Sequence, residues 1–153
     1  MRHPVQAAQT TPVRWWKAVF WLAVVTTAVV LLVPGDRVLA AKVWVASWLP
    51  FAQVLDQANF TDHSDKWVHL GLFTLLGTLA TRIWWGLGVF KTAVLWLTLL
   101  AVGTECLQHF IPGRGASAAD LMADVAGLTI GSLLWRALRR WGQPRSARAV
   151  DYQ

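Results

Sequence analysis

Cysteine is all but missing from this chain. Cys106 stands alone, which rules out an internal disulfide and leaves the redox compartment open. Charge is scarce too: 14% of the 153 residues are Asp, Glu, Lys or Arg, and only eight are acidic. Also missing is the alternation of apolar and polar residues by which a soluble domain marks its buried face. No segment repeats at a fixed period, which excludes a solenoid or array.

Apolar sequence fills the space, with 56% of residues hydrophobic. Four windows, 15–33, 67–85, 92–110 and 120–138, are apolar all round. At about 1.5 Å rise per residue each spans roughly 28 Å, close to the hydrocarbon core of a bilayer. The expected fold class is all-α: a polytopic membrane protein with a four-transmembrane-helix bundle over 15–138. Residues 1–14 are expected as a disordered cytoplasmic N-terminus and 139–153 as a basic cytoplasmic tail.

The net charge of +6 raises nucleic acid as a partner, and its placement excludes it. Arg2, Arg14, Lys17, Arg82, Lys91, Arg136, Arg139, Arg140, Arg145 and Arg148 fall to one side of the windows. Arg37, Lys42, Lys66 and Arg114 fall to the other. This asymmetry follows the positive-inside rule and places both termini in the cytoplasm, with the bilayer as partner. Tryptophans at both edges form the matching aromatic belt: 15, 16, 84, 85, 135 and 141 inside, 44, 48 and 67 outside. Val38-Leu39-Ala40 could pass as a signal cleavage site. The first apolar run is longer than a usual signal core and stops at Pro34-Gly35, so a retained first helix is expected.

Segment 38–49 is too short to span. Ala41, Trp44, Val45, Trp48 and Leu49 share a stripe, so it is either a helix lying flat at the outer interface or an amphipathic loop. Residues 56–65 are expected as an outer loop, with Ser64-Asp65 capping the second span.

Ionisable groups inside such spans are expensive and need a reason. His69 lies four residues past Asp65 and Asp124 four past Asp120, each roughly 6 Å below the outer edge. Glu105 lies five residues before Phe110, roughly 7 Å below it. Three spans thus deliver ionisable groups to one level. Asp120, Asp124, Gly127 and Gly131 share one helix face, and the glycines let a neighbouring backbone approach. Glu105 and Gln108 share a face, as do His69, Phe73 and Gly77. Asp120 also completes a capping-box pattern with Ser117. His109 and Lys66 lie near the interface. Cys106 is rotated away from Glu105 and is expected to pack rather than react.

Asp65, Glu105, Asp120 and Asp124 oppose only Lys66 and Arg114, an imbalance costing several kcal/mol per unpaired buried ion. A held proton, a cationic His69, a bound metal or a cationic ligand would offset it. One histidine among oxygens suits Mg²⁺, Mn²⁺ or Ca²⁺ better than Zn²⁺, although the spacing matches no metal motif. Arg114 could hold a phosphate or carboxylate, or pair with Asp120.

Asp65-Lys66-x-x-His69, Thr104-Glu105-x-x-Gln108, Pro112-Gly113-Arg114 and Asp120-x-x-x-Asp124-x-x-Gly127-x-x-x-Gly131, in that order, resemble the VanZ-like membrane proteins. The chain departs from their pattern at Asp124, where Asn is expected, and the pattern does not explain segment 34–62. The resemblance implies a protein of the bacterial inner membrane tied to the cell envelope. The namesake of the family gives low-level resistance to teicoplanin, a lipidated glycopeptide. The resemblance makes Asp65, His69, Glu105, Gln108, Arg114, Asp120 and Asp124 the expected site.

The leading expectation is a non-transporting envelope protein whose outer-leaflet pocket binds an anionic or amphiphilic envelope component. Arg114 and Lys66 would hold the head group above a floor of Glu105, His69 and Asp124. The alternatives are an intramembrane hydrolase or transferase using Glu105, His69 or Asp124 on a lipid-linked substrate, and a small proton-coupled carrier. The carrier is disfavoured because nothing ionisable continues into the inner half.

Overall fold

A computed structural model of the chain describes residues 13–48 and 60–141. The expectations for 1–12, for the 49–59 part of the outer loop and for the tail over 142–153 lie outside the described residues. Five α-helices make up the described structure: α1 Val13–Leu31, α2 Gly35–Ser47, α3 Phe60–Trp84, α4 Phe90–Gln108 and α5 Ala118–Trp141. Three of them, α1, α4 and α5, are long and apolar enough to cross a membrane. The chain is a multi-pass membrane protein.

Four such spans were expected, and α3 is the exception. Its 25 residues are ample in length, but Asp65, Lys66, His69, Arg82 and its threonines lower its hydropathy. Its place in the bundle explains that composition. It packs against α1, α4 and most extensively α5, so less of its surface needs to be apolar. Its threonine hydroxyls are satisfied within the helix, with Thr74 donating to Leu70 O at 2.7 Å and Thr81 to Gly77 O at 2.7 Å. Such bonds hide the hydroxyl from an apolar surrounding.

The α3–α5 seam is set by glycine. A Cβ on Gly131 would collide with the backbone of Thr74 and Thr78, and one on Gly127 with Leu70 and Thr74. Gly77 meets the backbone of Leu128 from the other side. Only bare backbone permits this approach, and Thr78 uses it to donate across the seam to Gly131 O at 3.2 Å.

Burial is inverted relative to a soluble protein. Trp21, Val25, Leu95, Trp96 and Leu133 are exposed, while His69, Gln108, Thr81 and Asp124 are almost wholly covered. Apolar residues facing out and polar residues facing in are what a bilayer demands. A smaller apolar core, including Phe20, Leu31, Phe73, Leu76 and Leu97, lies between the helices.

Four helices run alternately up and down, so the bundle has two ends. One gathers Trp16, Trp84, Trp85 and Trp135. There the Arg82 guanidinium sits 3.8 Å from the Trp16 ring centre and 4.6 Å from that of Trp135. Arg136 lies 4.3 Å from the Trp85 ring, and Phe20 meets Trp84 edge-on at 4.8 Å. The opposite end is polar.

At the polar end, the described part of segment 38–49 is helical to Ser47, in α2, with Trp44 and Trp48 in edge contact at 5.8 Å. Residues 60–65 are helical rather than loop. Neither glycine nor proline occurs between 60 and 70 to stop α3 from starting early, so Asp65 lies inside the helix and is not its cap. Helix α1 begins at Val13 and α5 ends at Trp141, two to three residues beyond the bundle limits expected from hydropathy.

Candidate functional site

The polar end is assembled by one tight turn. Gly113, at φ +72°, lies against Gly35, and a Cβ on Gly35 would clash with the Gly113 backbone. Gly35 N–H donates to Pro112 O at 3.1 Å, which locks the start of α2 onto the α4–α5 turn. Carbonyls at the end of α1 and just past it, left free where the helix stops, are taken by side chains. Gln108 Nε2 donates to Leu31 O at 2.8 Å and Arg114 Nε to Val33 O at 3.3 Å. Both residues were expected in a ligand site; Gln108 caps α1, and Arg114 holds the turn that follows it.

Two layers result. The upper one is a cleft of about 350 Å³, lined by Gly35, Asp36, Lys42, Asp65, Gly113 and Arg114, with Val38 and Leu39 at its apolar side. Asp65 holds two cations in its wall, Lys42 Nζ at 2.8 Å and Arg114 Nη1 at 3.5 Å. Arg114 therefore pairs with Asp65, not with Asp120. Lys66 is half-buried, does not line the cleft and forms no ion pair with another described residue. Lys42 lines the cleft instead.

The lower layer is one helical turn deeper, where α3, α4 and α5 bring together His69, Glu105 and Asp124. His69 Nδ1 donates to Asp124 Oδ1 at 2.9 Å and stands 3.7 Å from Glu105 Oε1. The other Glu105 oxygen accepts from Ser117 N–H at 2.8 Å. That bond changes the reading of Asp120. Its own N–H donates to the Ser117 hydroxyl oxygen at 3.3 Å, half of the expected capping box. Glu105, from another helix, takes the N–H that Asp120 would have taken. Asp120 Oδ1 is then buried without a hydrogen-bond partner among the described residues, as are Glu105 Oε1, Asp124 Oδ2 and His69 Nε2.

The sequence-predicted residues thus fall into three groups. His69, Glu105 and Asp124 meet, with Asp120 one turn above Asp124. Asp65 and Arg114 form the cleft, and Gln108 ties it to α1. His69, Glu105 and Asp124 are the described residues with metal-ligating atoms within 4.8 Å of one another. Cys106 is exposed and outside the site, and His109 is exposed with its ring edge-on to Phe110. Sequence reasoning missed Lys42 as a site residue. Its one signal is a cation lying off the apolar stripe of segment 38–49.

The VanZ/LLP1 family model matches residues 15–139, from the first span to the end of the last. The chain belongs to the VanZ/LLP1 family. The matched stretch contains every member of both layers, so cleft and buried triad lie wholly within the VanZ/LLP1 domain. No curated protein and no solved structure matches the chain significantly.

Proposed function

We propose that the chain is a four-span protein of the bacterial plasma membrane that binds an amphiphile with an anionic head group at its outer face. Helix α3 is the fourth span: at about 1.5 Å per residue it is roughly 37 Å long, and it lies along α5. The basic residues at the tryptophan end mark that end as cytoplasmic, with both termini there.

One observation carries the ligand class: Lys42 and Arg114 both reach Asp65 in the wall of an open cleft. A phosphate or carboxylate would find two donors there. The exposed apolar side chains of Leu39, Val43 and Trp44 on α2 offer a track for its acyl chain. A lipid-linked envelope intermediate fits this description. So does teicoplanin, the lipidated glycopeptide associated with the family name. The residues of the cleft bind and orient; nothing in this reading moves ligand across the bilayer.

The test uses purified protein in an uncharged detergent, titrated with short-chain phosphatidic acid, short-chain phosphatidylcholine or inorganic phosphate. Phosphatidic acid should bind, and Lys42→Ala should weaken it at least tenfold. Equal binding of the two lipids, or no effect of Lys42→Ala, contradicts the reading.

The His69–Asp124 pair favours a second reading, an intramembrane hydrolase or transferase acting on a lipid-linked substrate. A carboxylate that orients a histidine is the arrangement of a general base, with His69 or Glu105 taking the proton of the attacking hydroxyl. Turnover of an added lipid-linked substrate, abolished by Glu105→Gln with binding retained, would select it.

A further inference from the structure

We infer that the layer beneath the cleft is a divalent-cation site, with His69, Glu105 and Asp124 as ligands. Three carboxylates are buried here: Glu105 at 6%, Asp120 at 8% and Asp124 at 0% exposure. The nearby cations do not serve them. Lys42 and Arg114 are both spent on Asp65, and among the described residues only His69 pairs with a buried carboxylate. Removing carboxylates from water without a counter-charge is among the costliest arrangements available to a protein.

The geometry repeats the argument atom by atom. Glu105 Oε1, Asp124 Oδ2 and Asp120 Oδ1 are buried acceptors with no hydrogen-bond partner among the described residues. Glu105 Oε1 lies 3.7 Å from His69 Nδ1, too far for a hydrogen bond and on the same side as Asp124 Oδ1 at 2.9 Å. Ligand atoms of the three residues stand within 4.8 Å of one another. Two ligands on opposite sides of an ion with bonds of about 2.2 Å are about 4.4 Å apart, so contraction by a few tenths of an ångström suffices. The ion replaces the proton on Nδ1, which leaves to solvent. One imidazole nitrogen among carboxylate oxygens, supplied by three stiff helices, suits a first-row divalent ion of the Mn²⁺ type. The nitrogen counts against Ca²⁺, and the absence of thiolate removes a preference for Zn²⁺.

The inference does not rest on the reading of the cleft, because metal alone is the probe. Chelator-stripped full-length protein in uncharged detergent is titrated with Mn²⁺ and followed by electron paramagnetic resonance, with Mg²⁺ and Zn²⁺ as competitors. The expected result is one Mn²⁺ per chain, with affinity falling at least tenfold in Asp124→Asn and in Glu105→Gln. Bound Mn²⁺ should also show electron spin-echo modulation from a single imidazole nitrogen. That signature is read on the unmutated protein, so it stands even if a variant fails to fold. Absence of stoichiometric Mn²⁺, or bound Mn²⁺ without nitrogen coupling, overturns the site. So does affinity unchanged in both folded variants.

Discussion

The two ends of the bundle handle charge in opposite ways. At the tryptophan end, Arg82 lies against the rings of Trp16 and Trp135, and Arg136 lies over Trp85. The polar atoms left without partners there, Trp16 Nε1 and Arg82 Nε, are donors. At the polar end, the unpartnered atoms include three carboxylate oxygens. A guanidinium against aromatic faces is stabilised by its own surroundings. Buried carboxylates facing one another are not; they persist where something else binds them. The tryptophan end is built for stability, and the polar end is where the proposed ligand would act. The glycine seam between α3 and α5 joins the two.

Substitutions can break or sharpen this contrast. The largest effect belongs to the seam: Gly131→Leu forces a side chain into the Thr74 and Thr78 backbone, at a cost of about 3 kcal/mol or more. Both ends should be lost at once, seen as loss of the monodisperse folded peak in size-exclusion chromatography. Next comes Arg82→Ala, which removes two ring contacts at about 0.5–2 kcal/mol each. It should lower the thermal midpoint while leaving ligand binding at the far end intact.

Asp124→Ala strands His69 Nδ1 and should cost about 1–3 kcal/mol. The double substitution His69→Leu, Asp124→Leu should recover that loss, because replacing a buried ionic pair with apolar groups is often neutral or stabilising. Thermal melts of the single and double variants decide it, and a double variant no more stable than the single one would count the pair as structural. The smallest stability effect is that of Lys42→Ala. Its bond to Asp65 is partly exposed, at 25% and 35%, so below about 1 kcal/mol is expected.

The same contrast explains what was legible in the sequence. Helical rise converts residue offset into depth, so the common level of His69, Glu105 and Asp124 could be read before any coordinates. The glycines at 127 and 131 marked the close face because their spacing keeps them in line with Asp120 and Asp124. Loop-dependent contacts could not be read this way. Ser117 N–H reaches Glu105 only because the Pro112–Gly113 turn folds α5 back along α4, and Lys42 reaches Asp65 only because Gly35 rests on Gly113. Hydropathy alone does not establish α3 as a span. Windows of apolar sequence report exposure to lipid, and a helix surrounded by others is excused from it. The start of α3 at Phe60 was missed because Ser64-Asp65 has good capping chemistry that the longer helix does not use.

The division of labour between the ends is tested most directly by one set of melting curves. Wild type, Lys42→Ala and Arg82→Ala are each heated with and without saturating short-chain phosphatidic acid. The account predicts that the lipid raises the midpoint of wild type by several degrees and that Lys42→Ala abolishes this rise with little change in its lipid-free midpoint. Arg82→Ala should melt lower and keep the full rise. A rise that survives Lys42→Ala, or that disappears with Arg82→Ala, would contradict it.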